Sequence, residues 1–418
     1  MASEIDTQQP PAASVVSAYP ERGLKAYSVI MGAWFALFPP SGLLNSLGIF
    51  QAYLSRNQLS SYSESEIGWL SSVFAFLFFF GGLQVGPIFD RYGLAILLPT
   101  GCFGLVVCLV ITSFCEKYYQ FVLAFSIVGG MSSSILWTTS ISALGHWFQA
   151  NRGLATGLAT TAGGFGGVVF PLLFNGLIQR IGFAWTMRAF ALLSAGCFAL
   201  SLVLLKTRLP RNREARLMFD WRGFADSRFA LTMAAIFILD WAVLVPPAYI
   251  TTYSISQGFT AAQSYILTVL NATSILGRAV PGPVADKIGR FNVMVVCSFA
   301  CAAAIFGVWL NADSSVAMTL AFAVLYGFFS GSAYSLTPVC VAQLCRPENY
   351  ATRYGTAYGV VSLATLAGIP ISGNILNTGD GHNYKALIMF CGAAYAASTV
   401  LFVAARGVGA GWRVQTKF

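Results

Sequence analysis

Twelve apolar runs, each about as long as a bilayer crossing requires, leave this chain few ways to fold. They fall at 27–53, 67–89, 94–114, 119–144, 153–178, 185–205, 229–254, 263–285, 292–310, 316–343, 354–376 and 384–405. Short polar joints separate them. Only 9% of the residues are charged and 56% are hydrophobic, whereas a soluble domain carries about a quarter charged residues. Such a chain cannot cover itself with a water-facing surface, so the lipid bilayer is its solvent. The runs are apolar throughout and lack the short alternating pattern of a membrane barrel. The expectation is an all-α membrane protein with twelve transmembrane helices.

Charge placement tests that expectation. The net charge is +9, which in a soluble protein would suggest a nucleic-acid partner. With the N-terminus placed in the cytosol, 18 of the 24 Lys and Arg residues fall on inside joints and tails, four fall outside, and Arg188 and Arg278 fall within helices. That asymmetry is topological, and it places both termini in the cytosol. No nucleic-acid partner is expected. The nine cysteines form no CxxC pair, and Cys102, Cys108, Cys197, Cys297, Cys301 and Cys391 lie inside apolar runs. Metal and disulfide roles are therefore not expected. Walker, GxSxG and HExxH motifs are absent, which argues against an enzyme, against cofactors and against ATP as an energy source.

The most charged stretch, 206–228, divides the chain in the middle. The expected organisation is a disordered cytosolic tail (1–26), a six-helix bundle (27–205), a cytosolic loop (206–228), a second six-helix bundle (229–405) and a cytosolic tail (406–418). The first helix would serve as its own insertion signal. The two halves also repeat. Gly86-Pro-Ile-Phe-Asp90-Arg91-Tyr-Gly93 follows the second run, and Gly282-Pro-Val-Ala-Asp286-Lys287-Ile-Gly289 follows the eighth, 196 residues later. Arg152-Gly153 leading to Gly157 is matched by Arg353-Tyr354-Gly355 leading to Gly359. Two matches at nearly one offset argue for an internal duplication, a common build of transporters.

These turns resemble the G-x-x-x-D-[RK]-x-G segments of the major facilitator superfamily. Finer features resemble its monocarboxylate transporter-like branch, fungal members in particular. They are Asn45-Ser-Leu-Gly-Ile-Phe50-Gln51, Ile67-Gly-Trp69, His146-Trp-Phe-Gln-Ala-Asn-Arg152-Gly-Leu-Ala-Thr-Gly157, Gly163-Gly-Phe-Gly166, and Leu270-Asn-Ala-Thr-Ser-Ile-Leu-Gly277-Arg278. The resemblance implies two pseudo-symmetric six-helix bundles around a central cavity, and secondary transport by alternating access. It implies a small organic anion, monocarboxylate-like, as the partner, with the proton as candidate coupling ion. A monomer in the plasma membrane, rather than the vacuolar membrane, is the corresponding expectation. The branch departs here at three places. The acid–Gly pair before the first helix is interrupted (Glu21-Arg22-Gly23), Asn45 stands where animal members carry Lys, and Ser274 stands where they carry Asp. Transport of a secondary metabolite or vitamin-like compound is the alternative. A non-transporting nutrient sensor is a second alternative, against which the short tails argue.

Arg278 is the leading candidate for substrate binding. It precedes Asp286 by eight residues, about 12 Å along a helix. A charge at that depth is expensive unless it meets a partner or a wet cavity, and a guanidinium can fork onto a carboxylate; the competing role is a structural tie. Asp240, at a similar depth, is the proton-coupling candidate and could pair with Arg278. Asn45, Ser274, Tyr334 and Trp137 complete the expected binding set, each with helix packing as the alternative role. Asp90, Arg91, Arg152, Asp286, Lys287 and Arg353 form the expected cytoplasmic gate. Each Asp would meet the start of a helix in the other half, together with a nearby Arg. Arg188 is expected to snorkel to the outer surface, and His146 to be structural.

Overall fold

The computed structural model describes residues 19–209, 220–259, 263–376, 378 and 383–411, and every regular element among them is a helix. Ten helices are long and apolar enough to cross a membrane. In chain order the spans are α1 (Leu24–Arg56), α2 (Glu66–Tyr92), α3 (Leu94–Thr112) and α4 (Tyr118–Gly145). Next comes Arg152–Leu204, whose 53 residues would extend for about 80 Å, far beyond a bilayer core of about 30 Å. It breaks at Gly182, where φ is 72°, a backbone region that glycine enters without a Cβ penalty. The two arms, 152–181 and 183–204, are α5 and α6. The second half holds α7 (Ser227–Ser256), α9 (Arg290–Trp309), α10 (Val316–Gln343), α11 (Tyr350–Leu376) and α12 (Tyr384–Ala410). Between α7 and α9 runs α8, formed by Gln263–Ala279 and Pro281–Ile288, which meet at Val280. The divided long helix and the two-piece α8 bring the ten segments to twelve spans.

The ends differ from the sequence expectation. Helix α1 begins at Leu24, inside the segment expected to be a disordered tail, and Glu21 just before it is hydrogen-bonded. Residues 1–18 of that tail lie outside the described residues. Arg406, expected in the C-terminal tail, lies within α12, where its Nε donates to Asn292; residues 412–418 are outside the described set. In the central loop, Trp221–Ala225 forms a short 3-10 turn, and 210–219 are not described.

Within the first half α1 packs along α5. Gly166 lies against Gly42, where an added Cβ would come within 2.8 Å of the Gly42 Cα. Within the second half α8 packs on α10, and α7 on α12. The halves meet along two crossings, α2 with α11 and α5 with α8. Both use backbone-to-backbone approach at glycine, as close membrane-helix packing does. A Cβ on Gly282 of α8 would lie 2.7 Å from the carbonyl carbon of Gly153 on α5. A Cβ on Gly355 of α11 would lie 2.9 Å from the carbonyl carbon of Gly82 on α2. Gly153, Gly282 and Gly355 belong to the repeated motifs of the sequence; Gly82 does not, and Gly86, the repeat counterpart of Gly282, abuts the Ala351 carbonyl of α11.

Gly282→Val therefore forces atoms into a backbone. It is expected to destabilise the purified protein by about 1–3 kcal/mol, as overpacking does, seen as a lower melting temperature in detergent. Gly196→Ala, at a position inside α6 with nothing within 4 Å of an added Cβ, is expected not to lower the melting temperature, since Ala suits a helix interior better than Gly.

Candidate functional site

Arg278 sits on α8 just before its break, with 6% of its surface exposed. The glycines of α5 make room for it: a Cβ on Gly163 would come within 3.2 Å of its Cζ. Its Nη1 donates to the Thr160 carbonyl of α5 at 2.9 Å, so the side chain reaches across to the other half. Its Cζ lies 4.6 Å above the ring of Tyr334 on α10, a cation–π contact. Its Nε has no hydrogen-bond partner. One arm of the guanidinium is thus tied to a carbonyl, while another donor is uncommitted.

Asp240 on α7 is 9% exposed. The sequence suggested that it pairs with Arg278, but no such ion pair occurs among the described residues. Instead Asp240 Oδ2 accepts from the Thr365 hydroxyl of α11 at 2.5 Å. It lines a small cavity, with room for roughly one water. Phe79, Tyr334, Thr337 and Tyr358 share its wall. Tyr334 belongs to both neighbourhoods, stacked under Arg278 and facing the cavity of Asp240.

The remaining expected binding residues are placed unevenly. Asn45 is exposed on α1, and its Nδ2 donates to the carbonyls of Ser41 (2.9 Å) and Gly163 (3.1 Å). Ser274 is buried, and its hydroxyl donates to the Asn271 carbonyl at 2.7 Å. Trp137 does not line the Asp240 cavity. Its Nε1 donates to the Tyr354 hydroxyl at 2.7 Å, a tie from α4 to α11. Arg188 donates to Ser113 at 3.2 Å and lies over Phe114 and Trp185. His146 packs beside Phe89, with the rings tilted and 5.5 Å between centroids. Burial, then the neighbouring Arg152, push its pKa down to about 4, so it is neutral near pH 7.

On the face that carries the termini, both aspartates meet helix starts of the opposite half. Asp90 Oδ2 accepts from the Thr352 N–H (2.8 Å) and its hydroxyl (2.6 Å) at the start of α11. Asp286 accepts from the N–H groups of Gly153 (2.9 Å) and Leu154 (2.8 Å) at the start of α5. The positive end of a helix dipole favours a carboxylate there. The arginines take other partners than expected. Arg353 pairs with Asp220 at 2.9 Å and lies over Phe229. Arg152 donates to the carbonyls of Phe148 and Gly145 and lies over Tyr350. The arginine near Asp286 is Arg290, at 3.6 Å. Arg91 lies over Tyr92, and Lys287 is exposed.

Sequence reasoning did not single out Thr160, Thr365, Tyr354, Tyr358 or Asp220. Hydroxyls inside apolar runs carry no spacing signal, and Asp220 lies in a loop dense with charge.

Two bundles of transmembrane helices, joined at glycine crossings and enclosing buried ionisable groups at mid-depth, define a helical membrane-transport fold. The Major Facilitator Superfamily model matches residues 26–310 and 261–415, and the chain belongs to that superfamily. It is 33% identical to the riboflavin transporter MCH5 of Saccharomyces cerevisiae, over 95% of this chain and 81% of that protein. It is 34% identical to the aspyridones efflux protein apdF of Emericella nidulans, over 97% of this chain and 83% of that protein. Among solved structures, the human organic anion transporter MFSD10 superposes with a TM-score of 0.71. That match has 16% identity and covers 91% of this chain and all of the other.

Because Trp137 and Tyr354 stand on opposite halves, Trp137→Phe removes a buried tie. The expected cost is about 1 kcal/mol in thermal unfolding. Trp137→Phe/Tyr354→Phe should cost little more than the first change alone, the signature of a direct partner in a double-mutant cycle.

Proposed function

We propose that this protein is a secondary active transporter that moves a small organic anion across a membrane by alternating access, with the proton as coupling ion. The observation that carries this reading is Arg278: a buried guanidinium with an uncommitted Nε, over the ring of Tyr334, which lines the cavity of Asp240. A charge held at that depth needs an anionic partner to offset its desolvation. A carboxylate or enolate oxygen of a substrate supplies one, and the Tyr334 ring offers a face for the rest of the molecule. Asn45 and Ser274 contribute polar edges from α1 and α8.

A second reading for the cargo is a vitamin-like compound or a secondary metabolite. The named substrates of the riboflavin and aspyridones relatives favour it, as does the aromatic wall of Phe79, Tyr334 and Tyr358. Both readings place the anionic group of the cargo on Arg278.

The contacts of Asp90 and Asp286 with opposite helix starts support a gate that is closed on the termini face. The excess of Lys and Arg on that side supports a cytosolic orientation. Opening would separate α2 from α11 and α5 from α8 and break those contacts. We place the protein in the plasma membrane as a functional monomer.

Flux assays in liposomes under an imposed pH gradient test this, using a panel of carboxylates and flavins. Arg278→Gln is expected to reduce anion flux at least about 100-fold, and Arg278→Lys to leave a small residue, since Lys keeps charge but loses the planar fork. Parental flux in Arg278→Gln would make the residue structural. Separately, Asp240→Asn is expected to flatten the dependence of flux on the pH gradient while substrate binding, followed by tryptophan fluorescence, persists. A pH dependence identical to the parent would remove Asp240 from the coupling role.

A further inference from the structure

We infer that Glu21 and Asp220 are positioning residues for closure of the termini face: each holds the start of the fifth helix of its own half where the aspartate of the opposite half can reach it. The inference rests on the alternating-access reading above, but its test needs no substrate.

Glu21 precedes α1 and turns back onto the joint before α5. Its carboxylate accepts from the N–H groups of Gln149 (2.8 Å), Ala150 (2.7 Å) and Asn151 (3.0 Å), and from Asn151 Nδ2 (3.0 Å). Just beyond, the amides of Gly153 and Leu154 go to Asp286 of the other half. Five N–H groups between 149 and 154 are therefore shared by two carboxylates, one in cis and one in trans. Arg290 joins the two groups, donating from Nη2 to the Gln149 carbonyl at 2.5 Å while its Nε stands 3.6 Å from Asp286. Glu21 adopts a φ of 44°, a conformation non-glycine residues seldom take, and its four accepted hydrogen bonds hold it there.

The second half repeats the plan with different chemistry. Asp220 precedes α7. Its Oδ2 pairs with Arg353 at 2.9 Å, and its own N–H donates to the Thr356 hydroxyl at 3.0 Å. One residue before Arg353, Thr352 on the first turn of α11 is taken by Asp90 of the first half. Glu21 and Asp220 are 199 residues apart, Asp90 and Asp286 are 196 apart, and Arg152 and Arg353 are 201 apart. The cis carboxylate thus keeps the same place in the duplicated frame as the trans one.

The physical consequence is directional. When the face opens, the trans contacts must break, because they join the halves. The cis contacts lie within one half and can persist, keeping the first turn of α5 and of α11 ordered. A first turn left with unpaired amides frays, and a frayed turn presents a poor target for the returning aspartate. Burial pulls the Glu21 carboxyl up, but the amides of Ala150, Gln149 and Asn151 outweigh it and hold it below its ordinary value. A depressed carboxyl keeps its contact at neutral pH and loses it only as pH falls below the usual glutamate range. Glu21 is therefore a constant strut rather than a pH switch.

Hydrogen–deuterium exchange of the full chain in phospholipid nanodiscs tests the inference. Glu21→Ala is expected to speed exchange about tenfold at 149–151 and at 153–154, and also at 351–352, which Glu21 does not touch, because both crossings open in one motion. Glu21→Gln should fall between Ala and the parent, since it keeps the acceptor shape without the charge. Asp220→Asn should speed exchange at 351–352 and, remotely, at 153–154. Glu66→Gln, which removes a similar cap at the start of α2 on the opposite face, should alter exchange only near that cap. Faster exchange confined to 149–151 in Glu21→Ala would make Glu21 a local cap and overturn the inference. If Glu21→Ala does not fold, Asp220→Asn decides alone: unchanged exchange at 153–154 overturns it. Loss of the transport reading would show instead as absent flux in the parent with these exchange patterns intact.

Discussion

Direct backbone contact at the two glycine crossings is the constraint on which the rest of this structure depends. Helices with side chains at the crossing points stand about 8–10 Å apart. Gly153 with Gly282, and Gly82 with Gly355, let the backbones come much closer. That proximity delivers Asp286 onto the amides of Gly153 and Leu154, and Asp90 onto Thr352. A carboxylate is too short to reach those amides across an ordinary helix separation. The same crossing fixes Arg278, since Gly157 of α5 abuts the Arg278 carbonyl and Gly163 leaves the space its guanidinium fills. The proposed gate and the proposed site are thus two consequences of one packing arrangement, about two helical turns apart along α8.

On the proposed reading, this arrangement couples binding to opening. Arg278 donates to Thr160 of the other half while the face is closed. A substrate anion is a stronger acceptor than a peptide carbonyl, so it competes for the guanidinium and weakens a tie between the halves. The energy for that comes from relieving a buried, incompletely paired charge. Tyr334 stands between this event and Asp240, stacked on one and facing the cavity of the other. On the proposed reading Tyr334 is the side chain through which a change at Asp240 reaches Arg278.

The frame of the protein was legible in its sequence because membranes make few demands and make them loudly. Apolar runs set the number of spans, and the Gly-Pro-x-x-Asp repeats marked where the halves meet. The ends of the elements were less legible. Arg152–Leu204 read as two helices, and only a glycine φ distinguishes a turn there from a continuous rod. Residues 21–26 read as a tail because their polar composition gives no hint of the amides that Glu21 finds 128 residues later in the chain. The arginine partners were misjudged for a related reason. Proximity in the repeat suggested Asp90 with Arg353, but the helix start satisfied Asp90 by itself, and Arg353 was left for Asp220. Buried hydroxyls such as Thr365 escape sequence reading, since most serines and threonines in these helices merely bond the preceding turn, as Ser254 and Ser372 do.

The duplication is a duplication of frame and not of chemistry. Both halves carry a crossing glycine, a trans aspartate and a cis carboxylate at nearly one offset. Yet among the described residues the charged groups buried in mid-span, Asp240 and Arg278, both belong to the second half. The first half faces them with the Thr160 carbonyl, the bare backbone of Gly157 and Gly163, and the apolar ring of Phe79. Carbonyls and glycines tolerate many cargo shapes, whereas a guanidinium with one free donor and a carboxylate with one hydroxyl partner do not. The division follows from cost: each buried charge in the bilayer must be compensated locally, and grouping both in one half lets Tyr334 and Thr365 serve them without crossing the moving interface. On the proposed reading the first half moves as a neutral wall, and its polar hold on Arg278, the Thr160 carbonyl, is one that an arriving anion can displace.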